Sequence, residues 1–155
     1  MAANFAARWR QKMRALGLDV SPFVSCGMWL LPQEAPPLLR FERAASPAAL
    51  WDIYNANSAW SPAERERFAA FRVIGSFGTD NPICLVERTV VLLESQFQES
   101  VFMNRGIPEL AECLLAYLGE SDPDKFREAV LAVDPLALTD GAFWKCESDR
   151  LGKGS

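Results

Sequence analysis

The sequence contains no histidine. That absence excludes a Ser-His-Asp triad, a Cys-His dyad, every histidine-containing zinc site and a histidine pH switch. Paired cysteines are also missing. Cys26, Cys84, Cys113 and Cys146 stand far apart, with no CxxC. Zinc ribbons and fingers need close pairs to set tetrahedral geometry, so no metal is expected. No secretory signal is seen, and a chain of 155 residues can fold without disulfides. The expectation is four reduced thiols in a reducing, cytoplasmic compartment, mostly buried as small hydrophobes. No apolar run approaches the ~18 residues of a membrane span, so no membrane partner is expected.

Signature motifs of chemistry are scarce as well. The glycine-bearing stretch Gly75–Asn81 has neither the lysine of GxxxxGK[ST] nor the spacing of GxGxxG, and no cofactor is expected. Its two glycines and Asp80-Asn81 read as positive-φ turn positions between strands. GxSxG and HExxH do not occur. Glu94 with Glu99, or Asp80 with Glu87, could form a glycosidase-type carboxylate pair. Twenty acidic residues guarantee some such pairs, so catalysis is not expected.

What is present fits one globular domain. Half of the chain is hydrophobic and 23% charged, which excludes wholesale disorder. The net charge of −4 disfavours direct nucleic-acid binding, which needs a basic footprint. The charge is uneven: residues 1–77 sum to +3 and residues 78–155 to −7. An acidic half suits a protein partner with a basic face; the alternative is a solvated surface spread over several faces.

Along the chain, Phe5, Trp9, Met13 and Leu16 form one stripe of a first amphipathic helix. Its four basic residues superficially resemble a targeting segment, but the stripe favours a docked helix. Val24–Leu31, the proline-rich turn Pro32–Pro37 and Leu38–Glu42 predict a hairpin-like pair. Ser46-Pro47 starts a helix with Leu50, Ile53 and Tyr54 inward. Ser61-Pro62-Ala63-Glu64 is a capping box opening a short helix to about Ala69. Phe71–Ser76, Ile83–Glu87, Thr89–Glu94 and Val101–Asn104 predict short strands, with Glu87-Arg88 as a tight turn. Ile107–Leu118, with Pro108 in its first turn, is a helix ended by Gly119. Asp122-Pro123 opens another, Asp134-Pro135 breaks it, and Phe143-Trp144 begins a last structured segment. The domain is expected over residues 1–151, with 152–155 a frayed tail. Helices flanking a run of strands give an α+β order: a central twisted antiparallel sheet of short strands with flanking N- and C-terminal helices.

Aromatic residues divide into core and candidate anchors. Trp9, Trp51 and Trp144 read as core. Trp60 is either a hydrophobic staple or an exposed anchor. The loop from Glu94 to Glu99, carrying Gln96, Phe97 and Gln98, is the best interaction candidate, because an aromatic among carboxylates suits a hot spot facing a basic partner. Phe97 folded inward is the competing reading. Asp80 and Asn81 are added as candidates from the preceding turn.

Three blocks carry a resemblance. The first is Phe68–Leu85, with Arg72-Val73-Ile74-Gly75-Ser76, a Gly-Asp-Asn turn and Pro82-Ile83-Cys84-Leu85. The second is Val90–Glu94, then Val101-Phe102-Met103-Asn104 and the Leu110–Tyr117 helix. The third is Phe126, Asp134-Pro135, Ala137 and Phe143-Trp144. In this order the chain resembles the SUKH superfamily, closest to its bacterial immunity branch. The resemblance implies a non-catalytic protein-binding fold. It also implies an immunity protein that neutralises one cognate toxin, often a nuclease or deaminase domain, by occlusion. A regulatory or scaffolding module of the same fold is the alternative. Oligomeric state stays open. Three departures from the family pattern stand out: Glu87-Arg88-Thr89 lacks a glycine, Glu94-Ser95 replaces Asp-His, and Arg105-Gly106 replaces serines. They are expected on one side of the sheet.

Overall fold

The computed structural model describes residues 2–26, 28–42, 49–50, 61–79, 81–94 and 99–153. The fold is α+β. A six-stranded antiparallel sheet and a two-stranded one are flanked by N- and C-terminal helices.

Helix α1 spans Ala2–Ala15. Its stripe works as expected for Phe5, Trp9 and Met13, which are buried. Leu16 lies past the helix end and is exposed, unlike the rest of the stripe, with its side chain against Gly119, where a Cβ would meet it. Arg8 fixes the docking by a bidentate pair with Glu112, at 2.6 and 2.9 Å. The Lys12 ammonium donates to the Leu115 carbonyl near the end of a facing helix, where the helix dipole favours a cation.

The next segment differs from its sequence reading. Val24–Leu31 is not one interrupted strand. Strands β1 (Phe23–Cys26) and β2 (Trp29–Pro32) fold back on each other, with Cys26 opposite Trp29. A second hairpin, β3 (Glu34–Ala35) and β4 (Leu39–Phe41), then enters the main sheet. The reason is spacing: Cys26 and Leu31 both reach the core only if the chain reverses between them.

Helix α2 (Pro62–Arg67) opens on the expected capping box, with the Ser61 hydroxyl accepting from the Glu64 amide and the Glu64 carboxylate accepting from the Ser61 amide. The helix predicted from Ser46 falls mostly outside the described residues, as do Trp51 and Trp60. Leu50 is buried, and Ala49 bridges Arg72.

Strands β5 (Phe71–Phe77), β6 (Asn81–Val86), β7 (Thr89–Glu94) and β8 (Glu99–Asn104) complete the sheet in the order β3-β4-β5-β6-β7-β8. The continuous run Val90–Leu93 is buried because both faces of the sheet are covered. Val90 and Leu92 join the large core under the helices. Val91 and Leu93 join a smaller cluster with Leu50, Phe68, Val73 and Cys84 on the opposite face. The turn stretch read from Gly75 to Asn81 is shorter than expected. Gly75 lies inside β5, where a Cβ would meet the Arg40 carbonyl oxygen of β4 at 2.1 Å. It is there for close backbone approach, and among the described residues of the stretch Gly78, at φ 66°, supplies the left-handed turn position. Glu87 takes φ 60° in the tight turn, a left-handed position that glycine fills at less cost.

Helix α3 (Ile107–Tyr117) covers the sheet, followed by α4 (Pro123–Val133), a 3₁₀ turn (Pro135–Leu138) and α5 (Phe143–Lys153). Helix α5 carries through Gly152 and Lys153, which the sequence reading places in the tail. Among the described residues, no helix is long and apolar enough to cross a membrane.

Candidate interaction surface

Antiparallel order decides which loops share an end of the sheet. The β5–β6 and β7–β8 connections fall at one end and the β6–β7 turn at the other. At the first end, Phe77 pairs with Asn81 and Glu94 pairs with Glu99. Ile83 pairs with Leu92, and that register carried to the strand ends sets Asn81 against Glu94. Asn81, Glu94 and Glu99 therefore stand in one transverse row. Asp80, Gln96 and Phe97 lie outside the described residues.

The electrostatics of the row are one-sided. Glu94 is half-buried and Glu99 exposed, and like charges directly opposite on neighbouring strands repel. Among the described residues neither carboxylate has an ion pair. Phe77 anchors the row from behind, its ring edge-on to Phe143 at the start of α5, 5.1 Å between centroids.

The three departures from the family pattern do not share one side. Glu87-Arg88 and Arg105-Gly106 meet at the far end, where a Cβ on Gly106 would lie 3.7 Å from the Arg88 carbonyl oxygen. Glu94 is at the near end with the row. Gly106 is the N-cap of α3 and, having no side chain, makes no capping hydrogen bond.

A buried polar centre joins the second and third blocks, and residue patterns alone gave no sign of it. Asn104 is fully buried at the end of β8. Its amide accepts from the Trp144 indole at 2.8 Å and donates to Asp134 at 3.1 Å and to the Cys113 sulfur at 3.4 Å. The buried Asp134 carboxylate also accepts from the Arg105 backbone amide at 2.9 Å. Its other oxygen lies 3.2 Å from the Arg105 guanidinium, close enough for charge pairing but outside hydrogen-bond geometry. The one available sequence signal was the coincidence of Asn104, Asp134 and Trp144 among the residues of the resemblance.

Other ionisable groups serve structure. Burial pushes the thiols of Cys26, Cys84 and Cys113 up to about 11, 12 and 12, which keeps them protonated and unreactive. Cys146 is exposed. Burial also raises the Glu147 carboxyl above its ordinary range, although Arg150 and the Tyr117 hydroxyl oppose the shift. Lys145 and Arg127 hold Asp149 below its ordinary value, tying α4 to α5. An open groove of about 580 Å³ runs between α1, α3 and α4, with Ala15, Leu115, Ala116 and Val133 in its wall. Among the described residues no group of acids and cysteines could hold a metal ion.

No family model, curated protein or solved structure matches the chain.

Proposed function

We propose that the chain is a protein-binding domain of the SUKH type, acting in the bacterial cytoplasm as an immunity protein that neutralises one cognate toxin by occlusion. One observation carries this reading. The sheet ends in a pair of opposed carboxylates, Glu94 and Glu99, with no cation against them among the described residues. A fold holding like charges face to face at the end of its sheet suits a basic partner. The three blocks of the resemblance support the family, and the joining of two of them through Asn104 gives those residues a reason to occur together. A basic face is what a nuclease or another nucleic-acid-directed toxin presents to its substrate. The domain would take the substrate's place without breaking or making a covalent bond.

The test is co-expression with the toxin encoded beside this gene. Growth should be restored, and a one-to-one complex should survive gel filtration. Continued killing with no complex overturns the reading.

A further inference from the structure

The two edges of the main sheet are finished differently. At one edge, β3 has only two residues and is followed by Pro36-Pro37, so it offers almost no free backbone. At the other edge, β8 has six residues and contains neither proline nor lysine. Its far half is closed: Met103 is inserted as a bulge, Asn104 is buried, and the Arg105 amide binds Asp134. Its near half is open. Glu99 and Ser100 are exposed, and Val101 and Phe102 are half-buried.

Register shows which backbone groups point outward. In the two-residue turn at Glu87-Arg88, Val86 and Thr89 form the hydrogen-bonded pair that closes the hairpin. Hydrogen-bonded and non-bonded pairs then alternate, so Val91 bonds to β6 and Leu92 bonds to β8. The β8 partner of Leu92 is Val101, and that of Glu94 is Glu99. Val101 and Glu99 therefore face inward. The amides and carbonyls of Ser100 and Phe102 face away from the sheet. Among the described residues no further strand or loop backbone bonds to them, since β8 is the last strand of the sheet.

We infer that this half-strand receives an extended segment of the toxin, which adds a seventh strand to the sheet and sets a lysine or arginine beside Glu99. The inference rests on the proposed function and specifies how the partner is held. Main-chain bonds at Ser100 and Phe102 would supply the docking, and the unpaired Glu94–Glu99 carboxylates would select a basic strand over a neutral or acidic one. A second copy of this chain would bring no lysine or arginine on its own β8 to set beside Glu99.

Amide hydrogen exchange on the full chain, alone and with the neighbouring toxin, tests this. The Ser100 and Phe102 amides should slow at least tenfold in the complex, whereas Val101, already bonded to β7, should change little. Ser100→Pro removes an outward donor and no sheet bond, so it should weaken toxin binding about tenfold or more. Ser100→Ala keeps the donor and should bind like the parent. A complex that leaves both amides unprotected overturns the edge inference and leaves the immunity reading standing. Failure to form any complex overturns both. Protection that appears without toxin and grows with protein concentration would assign the edge to self-association and overturn the inference.

Discussion

Asn104 shows how much one side chain can hold. It links the indole of α5, the carboxylate at the end of α4 and the thiol of α3 to the last residue of β8. Deleting its amide leaves the Trp144 indole without an acceptor and removes one donor from a buried carboxylate. Each orphaned buried group costs about 1–3 kcal/mol, so Asn104→Ala should destabilise by roughly 3 kcal/mol. The shift is read from urea unfolding with an unchanged slope. A loss below about 1 kcal/mol would mean that water replaces the amide and that the centre is not structural. Residue types were legible here and their relation was not. A polar residue ending an apolar strand reads equally as a surface position, because burial depends on helices far along the chain. Gly75 was misread for a similar reason: a glycine beside turn residues looks like a turn, and only the passage of β4 shows what it avoids.

Elements were legible where local chemistry sets their ends. The capping box at Ser61, proline in the first turns of α3 and α4, Asp122 capping α4 and Gly119 at φ 74° are all short-range devices, and each acts where the sequence placed it. The β1–β2 reversal was not legible, since its cause is the distant core. Helix α5 carries a conflict that composition hid. Glu147 is 2% exposed, 3.3 Å from the Tyr117 hydroxyl and 3.5 Å from Arg150. Burial raises its carboxyl pKa in the folded state. The folded protein thus holds this proton more tightly than the unfolded chain does. The stabilisation from that proton is complete below the ordinary glutamate range and is lost as pH rises through the elevated value. Glu147→Gln, which keeps an acceptor for Tyr117 and carries no charge, should raise the melting temperature at neutral pH. It should also remove part of the decline in stability between the ordinary glutamate value and neutrality. Thermal unfolding across that pH range separates the two proteins. If the variant is less stable at pH 7, the Arg150 pairing outweighs the burial, and the sign assigned here is wrong.

At the scale of the whole molecule, the charge asymmetry and the candidacy of Glu94 and Glu99 were visible in the sequence, but their direct opposition across two strands was not. The −7 of residues 78–155 is spread over strands, helices and the connections between them. Part of it is engaged within the fold: Asp134 with Arg105, Asp149 with Arg127 and Lys145, and Glu112 with Arg8 from the basic half. Among the described residues Glu94 and Glu99 have no part in those pairings, and their opposition costs the isolated domain stability; under the proposed function the same charges attract the basic partner. Replacing one charge should therefore move stability and binding in opposite directions. Glu99→Lys turns a repelling cross-strand pair into an attracting one and should stabilise the free domain by about 0.5 kcal/mol. Under the proposed function, the same change should slow association with the toxin by about tenfold at low salt, with a smaller effect on dissociation, because rim charges act mainly on encounter. Raising salt to physiological strength, where the Debye length is ~8 Å, should shrink the difference between the two proteins. Stopped-flow association at two ionic strengths, beside urea unfolding of the free proteins, reads both effects. A variant that gains stability and associates at the parent rate would show that the carboxylate row lies outside the interface, and that contact is made by an apolar, shape-driven surface elsewhere.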